Sequence, residues 1–156
     1  MSTAAFAPAP QWSHATGHAA GAHQVTSAVS TVINIKPQTV PSWLDRVVQP
    51  MNGLALLEEG WDGEQARPLT REAALAALNA LVEVMWPDSP APSLVPMYDG
   101  GLQLEWHAPG LDIELTSAPD GTRHVWIAAA SGLEIDNDFR YVVEDFRKHI
   151  GTLTLG

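Results

Sequence analysis

From Leu102 to His107 the chain reads Leu-Gln-Leu-Glu-Trp-His, an unbroken alternation of apolar and polar side chains that follows directly on Asp99-Gly100-Gly101. A period of two is the spacing of a strand buried on one face only. Asp-Gly steps supply positive φ at little steric cost, so the preceding triplet reads as a tight turn. A strand of this kind must find neighbours, and the flanking sequence provides them. Residues 93–98 precede the turn, and residues 111–117 follow Pro109-Gly110. Residues 123–130 follow Ala118-Pro119-Asp120-Gly121. Short polar turns between alternating runs predict an antiparallel meander of four strands.

The segments on either side of the meander have helical periodicity. Pro41-Ser42 opens the folded part, with Ser42 as the cap of a short helix carrying Trp43, Leu44, Val47 and Val48. Pro50 interrupts that pattern and restarts it, and Met51, Leu54, Leu56 and Leu57 continue it to a stop at Gly60. Thr70 caps a second helix, whose apolar face is Ala74, Leu75, Leu78, Leu81, Val82 and Met85, ending at Trp86-Pro87. A last helix over about 136–150 opens at Asp136 and carries Phe139, Val142, Val143, Phe146 and Ile150 on one face. The expected fold is therefore α+β: a two-layer, four-stranded antiparallel meander covered on one face by helices, in the order α-α-β-β-β-β-α.

Domain organisation follows from a shift in composition. Residues 1–24 are mostly Ala, Pro, Ser, His and Gly, which bury too little surface to offset ordering entropy and read as a disordered tail. His14, His18 and His23 in that tail read as solvated side chains, not metal ligands, because nothing there orients them. Val25 to Ile35 is different. Val29, Val32, Ile33 and Ile35 among Ser and Thr form a β-prone run without charge, suited to adding a strand to a sheet edge. Residues 1–40 are thus an arm, disordered or extended, and residues 41–156 a single domain.

Charge is just as uneven. Lys36 is the only charged side chain in residues 1–40, while residues 41–156 carry eighteen acids against seven bases, a net of −11. Such a field repels nucleic-acid phosphates and anionic lipid and favours basic partners. There is no cysteine, which removes disulfides, thiolate catalysis and Cys-based zinc sites. No apolar run reaches membrane-spanning length, and the first residues lack the pattern of a signal peptide, so a cytoplasmic protein is expected.

Two sets of residues are candidates for function. Alternation places Glu105 and His107 on one face of a hairpin with Asp112 and Glu114, opposite the apolar Leu102, Leu104, Trp106, Leu111, Ile113 and Leu115. Two or more carboxylates beside an imidazole could perform acid–base chemistry or bind a divalent metal. A solvated face that docks basic groups explains them better, since an exposed sheet face ordinarily carries such residues and no pocket is implied. The second set is the Gly60-Trp61-Asp62-Gly63 loop. Trp61 could anchor a partner. It could equally fold back as a core plug while Asp62 bonds nearby amides, the reading that a rigid loop with glycine at both ends favours. Arg67 could pair with Asp62 or Glu64. No phosphate loop, zinc-binding helix or nucleophile elbow is present, and no cofactor or metal is expected.

Gly60-Trp61-Asp62-Gly63 with Ala66 and Pro68, and then Asp99-Gly100-Gly101-Leu102-Gln103-Leu104-Glu105-Trp106, resemble a family of small bacterial proteins of unassigned function. Its members share a Trp-Asp-Gly loop and an Asp-Gly-Gly-x-Gln-x-Glu-Trp hairpin. The likeness covers residues 51–127, and Glu64-Gln65 departs from the Tyr-Gly expected after the first motif. It implies a fold and no activity. Among function classes, the expectation is a non-catalytic protein-binding module, such as an antitoxin, an immunity-type inhibitor or a small adaptor, that occludes a basic partner surface. The alternatives are an acidic mimic of nucleic acid and a small metal-dependent or acid–base enzyme.

Overall fold

The computed structural model describes residues 40–155. The arm, including Val29, Val32, Ile33 and Ile35, lies outside the described residues. Three helices and five strands follow one another: α1 (Leu44–Leu54), α2 (Arg71–Val84), β1 (Ser93–Pro96), β2 (Leu102–Ala108), β3 (Leu111–Ser117), β4 (Arg123–Ala129), β5 (Glu134–Asp138) and α3 (Phe139–Leu155). The strands form one antiparallel sheet in sequence order, β1-β2-β3-β4-β5. The α+β class and the meander are as expected. The strand count is corrected from four to five.

The fifth strand occupies residues expected to begin the last helix. Glu134-Ile135-Asp136-Asn137-Asp138 has a single apolar side chain, too few to declare itself as a strand by alternation. Tertiary pairing decides it. A tight turn closed by Gly132 N–H to Ala129 C=O returns the chain along β4, with Trp126 opposite Asp136 and Ile127 opposite Ile135. Helix α3 consequently starts at Phe139, and its cap is Asp138, whose Oδ1 accepts the Arg140 amide at 2.9 Å, not Asp136.

One face of the sheet carries Leu102, Leu104, Trp106, Ile113, Leu115, Val125 and Ile127, all buried. Against it pack Val47 and Met51 of α1, Ala77, Leu81 and Val84 of α2, and Phe139, Val142, Phe146 and Ile150 of α3. Trp106 meets Phe146 edge-on at 5.7 Å, and Phe146 meets Phe139 in the same way at 5.9 Å. Trp106 also donates its indole N–H to Pro90 C=O at 2.9 Å, so its one polar atom is satisfied in the core.

The helices depart from expectation in detail. Thr70 is the cap of α2, accepting from the Ala73 amide at 3.1 Å while its hydroxyl donates to Pro119 C=O at 2.9 Å. The buried face of α2, however, is Ala73, Ala77, Ala80, Leu81 and Val84, while Leu75 and Val82 are exposed. Small side chains let this helix approach the sheet closely enough for the buried Ser117 hydroxyl to donate to Ala73 C=O at 2.9 Å. Helix α1 runs through Pro50 without restarting and stops at Leu54, well before Gly60. Ser42 does not cap it. Its hydroxyl donates to Pro87 C=O at 3.0 Å, and its amide bonds the same carbonyl.

The two motifs of the resemblance meet in one corner. Asp62 Oδ1 accepts the amides of Glu64 and Ala66, which closes the 60–66 loop, and Ala66 is the residue it buries. These amides hold the Asp62 carboxyl below the usual carboxylate range. The following residues then zip onto the β1–β2 turn, through Arg67 N–H to Tyr98 C=O and Thr70 N–H to Gly100 C=O. Gly100 has φ +94°, and a Cβ there would lie 2.7 Å from Pro68 C=O, so both conformation and space require glycine.

Candidate open-face site

Among the described residues no helix packs on the other face of the sheet, and register places its residues in rows. Val95, Gln103, Thr116, His124 and Asp138 lie across the five strands in one row. Ser93, Glu105, Glu114, Trp126 and Asp136 form the next, and His107, Asp112, Ala128 and Glu134 the third. Glu105, His107, Asp112 and Glu114 are therefore together as expected. Sequence reasoning missed that β5 adds Glu134, Asp136 and Asp138 to the same surface, because the strand itself was missed. It also left Trp126 out. This indole stands at the middle of the acidic rows, directly between Glu114 and Asp136 in register.

A hydrogen-bonded chain runs along the β2–β3 half of this face. Gln103 Nε2 donates to Glu105 Oε1 at 2.9 Å; His107 Nε2 lies 3.2 Å from Glu105 Oε2, and His107 Nδ1 lies 2.9 Å from Asp112 Oδ1. The hydrogen bond to Asp112, and after it that to Glu105, raises the His107 pKa above its ordinary value. On the β4–β5 half, His124 Nε2 is 3.0 Å from Asp136 Oδ1, and Trp126 Nε1 donates to Glu134 Oε1 at 3.2 Å. Asp138 is bound by the Arg140 guanidinium at 2.9 and 2.7 Å, which lowers its pKa to about 2.

These groups do not converge on a point. The two ring nitrogens of His107 face different carboxylates, so Glu105 and Asp112 flank the ring instead of enclosing a shared ligand position with it. Among the described residues no group of three or more His, Asp and Glu side chains is spaced to hold a metal ion. A groove of about 330 Å³ does open beside the site, at the β1–β2 edge, lined by Glu105, Trp106, His107 and Leu153 among others.

Trp61 is remote from this face in its contacts. It is half-buried and not a core plug, and its indole N–H donates to Arg67 C=O at 3.1 Å. Arg67 forms no ion pair with Asp62 or Glu64 within 4.0 Å and serves through its main chain instead. Among the described residues no helix is long and apolar enough to cross a membrane. Comparison with family models, curated proteins and solved structures found no match.

Proposed function

We propose that this protein is a non-catalytic binding module whose open sheet face docks a basic surface of another protein and occludes it. One observation carries the reading: the strands contribute six carboxylates to that face, Glu105, Asp112, Glu114, Glu134, Asp136 and Asp138, and no lysine or arginine, and of the six only Asp138 is paired with an arginine, Arg140 of α3. Arg123, the one strand arginine, points to the helix side, where it stacks on Phe139 and lies 3.8 Å from Glu83. Glu105 and Glu114 stand directly opposite each other across β2 and β3, a like-charge pairing that is destabilising in isolation and relieved by a cation. Trp126 offers an aromatic surface among these charges on which a guanidinium or ammonium group can rest.

Acid–base catalysis is less well supported. His107 sits between Asp112 and Glu105 on an exposed face, and among the described residues no nucleophilic side chain is hydrogen-bonded to it. The module reading covers an antitoxin, an immunity-type inhibitor or an adaptor alike, since occlusion by charge is common to all three.

The test is the kinetics of association with the partner that co-purifies with the protein. Glu105→Gln, Asp112→Asn and Glu114→Gln combined should lower the on-rate several-fold with the fold intact, and the wild-type on-rate should fall steeply as salt rises. Rates independent of salt, with the triple variant binding as wild type, would remove the acidic face from the mechanism. A metal-dependent turnover abolished by the same substitutions would establish the enzyme reading in its place.

A further inference from the structure

Among the described residues, the β1–β2 edge of the sheet is left unpaired over the last residues of β2. Pairing between these strands stops at Ser93, opposite Glu105, whereas β2 continues through Trp106 and His107 to Ala108. The chain before Ser93 leaves the sheet plane toward the helix side, where Pro90 C=O receives the Trp106 indole N–H. The ladder shows which backbone groups this exposes. Met97 N–H bonds Gly101 C=O, so Gly101, Gln103 and Glu105 direct their main-chain groups toward β1 by the antiparallel alternation. His107 is the next residue in that series, and among the described residues no strand pairs with it on that side.

Space for one is present. The groove of about 330 Å³ lies along this edge, lined by Pro90-Ala91, by the Glu105–Ala108 stretch and by Leu153 of α3. A second hollow of about 400 Å³, lined by Ala108, Leu111 and Leu153 among others, extends it past the end of β2. One side of the edge is acidic, through Glu105 and Asp112, and the other is apolar.

We infer that this edge receives an extended segment of the basic partner, which adds as a strand antiparallel to β2, with alternate basic and apolar side chains. Residues directly opposite share a face, so the residue paired with His107 lies on the acidic side and is the basic one. That residue exchanges both main-chain hydrogen bonds with His107. Its apolar neighbours turn to the helix side, into the groove beside Leu153. The inference rests on the docking reading above and adds the partner's conformation and pattern to it.

A peptide probe tests both separately. The peptide Lys-Val-Lys-Val-Lys is titrated into the isotope-labelled full chain, with amide shifts and amide exchange as readouts. The expected result is a shift of the His107 amide and at least a several-fold slowing of its exchange. N-methylation of the lysines should abolish both effects, whereas N-methylation of the valines should leave them, because only the lysine amides face β2. Glu-Val-Glu-Val-Glu should not bind. An unmoved His107 amide, or equal binding by the two N-methylated peptides, overturns strand addition. If salt-sensitive shifts still occur at Glu114, Trp126 and Asp136, charge docking stands without it; if no salt-sensitive shift occurs anywhere on the open face, both readings fail.

Discussion

At the scale of single residues, the hairpin motif divides cleanly by the direction of its side chains. Trp106 is 4% exposed and packs on Phe146, while its neighbour Glu105 is on the open face with its partners Gln103 and His107. Trp106→Ala should therefore cost about 3–5 kcal/mol in chemical denaturation, the range for deleting a buried large aromatic. Glu105→Ala should change stability by less than about 0.5 kcal/mol, as a surface substitution does. Equal losses would mean that the two faces are reversed. Titration separates two other residues. The folded pKa of His107 is raised above 6.5, so its contribution to folding is complete below that value and is lost as pH rises through the folded pKa. Asp138 has the opposite sign: with a folded pKa of about 2, its contribution is present above 3.8 and lost as pH falls toward 2. Following both side chains by NMR checks the pair. Asp112→Asn should bring His107 back toward 6.5, and Arg140→Ala should bring Asp138 back toward 3.8.

Among the elements, β5 has the least sequence signal and the most exposed position. It is the outer strand of the sheet, paired only with β4. Unpaired strand edges template association with another chain, and charge on them is a common protection. Glu134, Asp136 and Asp138 supply that charge at alternate positions. Replacing the three with Gln, Asn and Asn should leave the monomer fold in place and produce concentration-dependent self-association in sedimentation; a variant that stays monomeric would assign the acids to docking alone. Helix α2 illustrates the converse case, a strong local pattern with the wrong face. Leucine and valine spacing pointed to Leu75 and Val82, but the sheet needed a close approach, and the alanine row at Ala73, Ala77 and Ala80 provides it. Thr70→Ala removes the cap of this helix and its tie to Pro119 together, and should cost about 1–2 kcal/mol in thermal or chemical unfolding.

For the molecule as a whole, one face of the sheet carries the fold and the other carries the charge. Every large apolar strand residue of β2 to β4 except Trp126 and the half-buried Leu111 is sealed under the helices. The carboxylates have gone to the opposite side and come from three strands. A surface built this way attracts cations over a distance of about 8 Å at physiological ionic strength, so partner association should be the step most sensitive to salt. Doubling the salt concentration should then slow the on-rate far more than it speeds dissociation, which stopped-flow measurements at fixed temperature will separate. A larger effect on dissociation would point to main-chain and apolar contacts as the main determinants of binding.

Local sequence determined the elements whose signal lies within a few residues: the period-two runs of β2, β3 and β4, the Asp-Gly turns between them, the Thr70 cap, and the Phe139–Ile150 face of α3. The grouping of Glu105, His107, Asp112 and Glu114 followed from the same alternation, because a two-residue hairpin turn fixes which side chains stand together. Tertiary structure alone decided the rest. Strand β5 exists because β4 has an unpaired edge for it to satisfy, and the α2 face is set by how closely the helix must approach the sheet. Pairing across β4 brings Trp126, Glu134 and Asp136 to the acidic surface, and the end of β1 at Ser93 leaves His107 at an open edge. The α2 face and the open edge depend on contacts between residues far apart in the chain, whereas β5 lies close to β4 in sequence but pairs through backbone groups with one apolar side chain to mark it, so no local period encodes any of them.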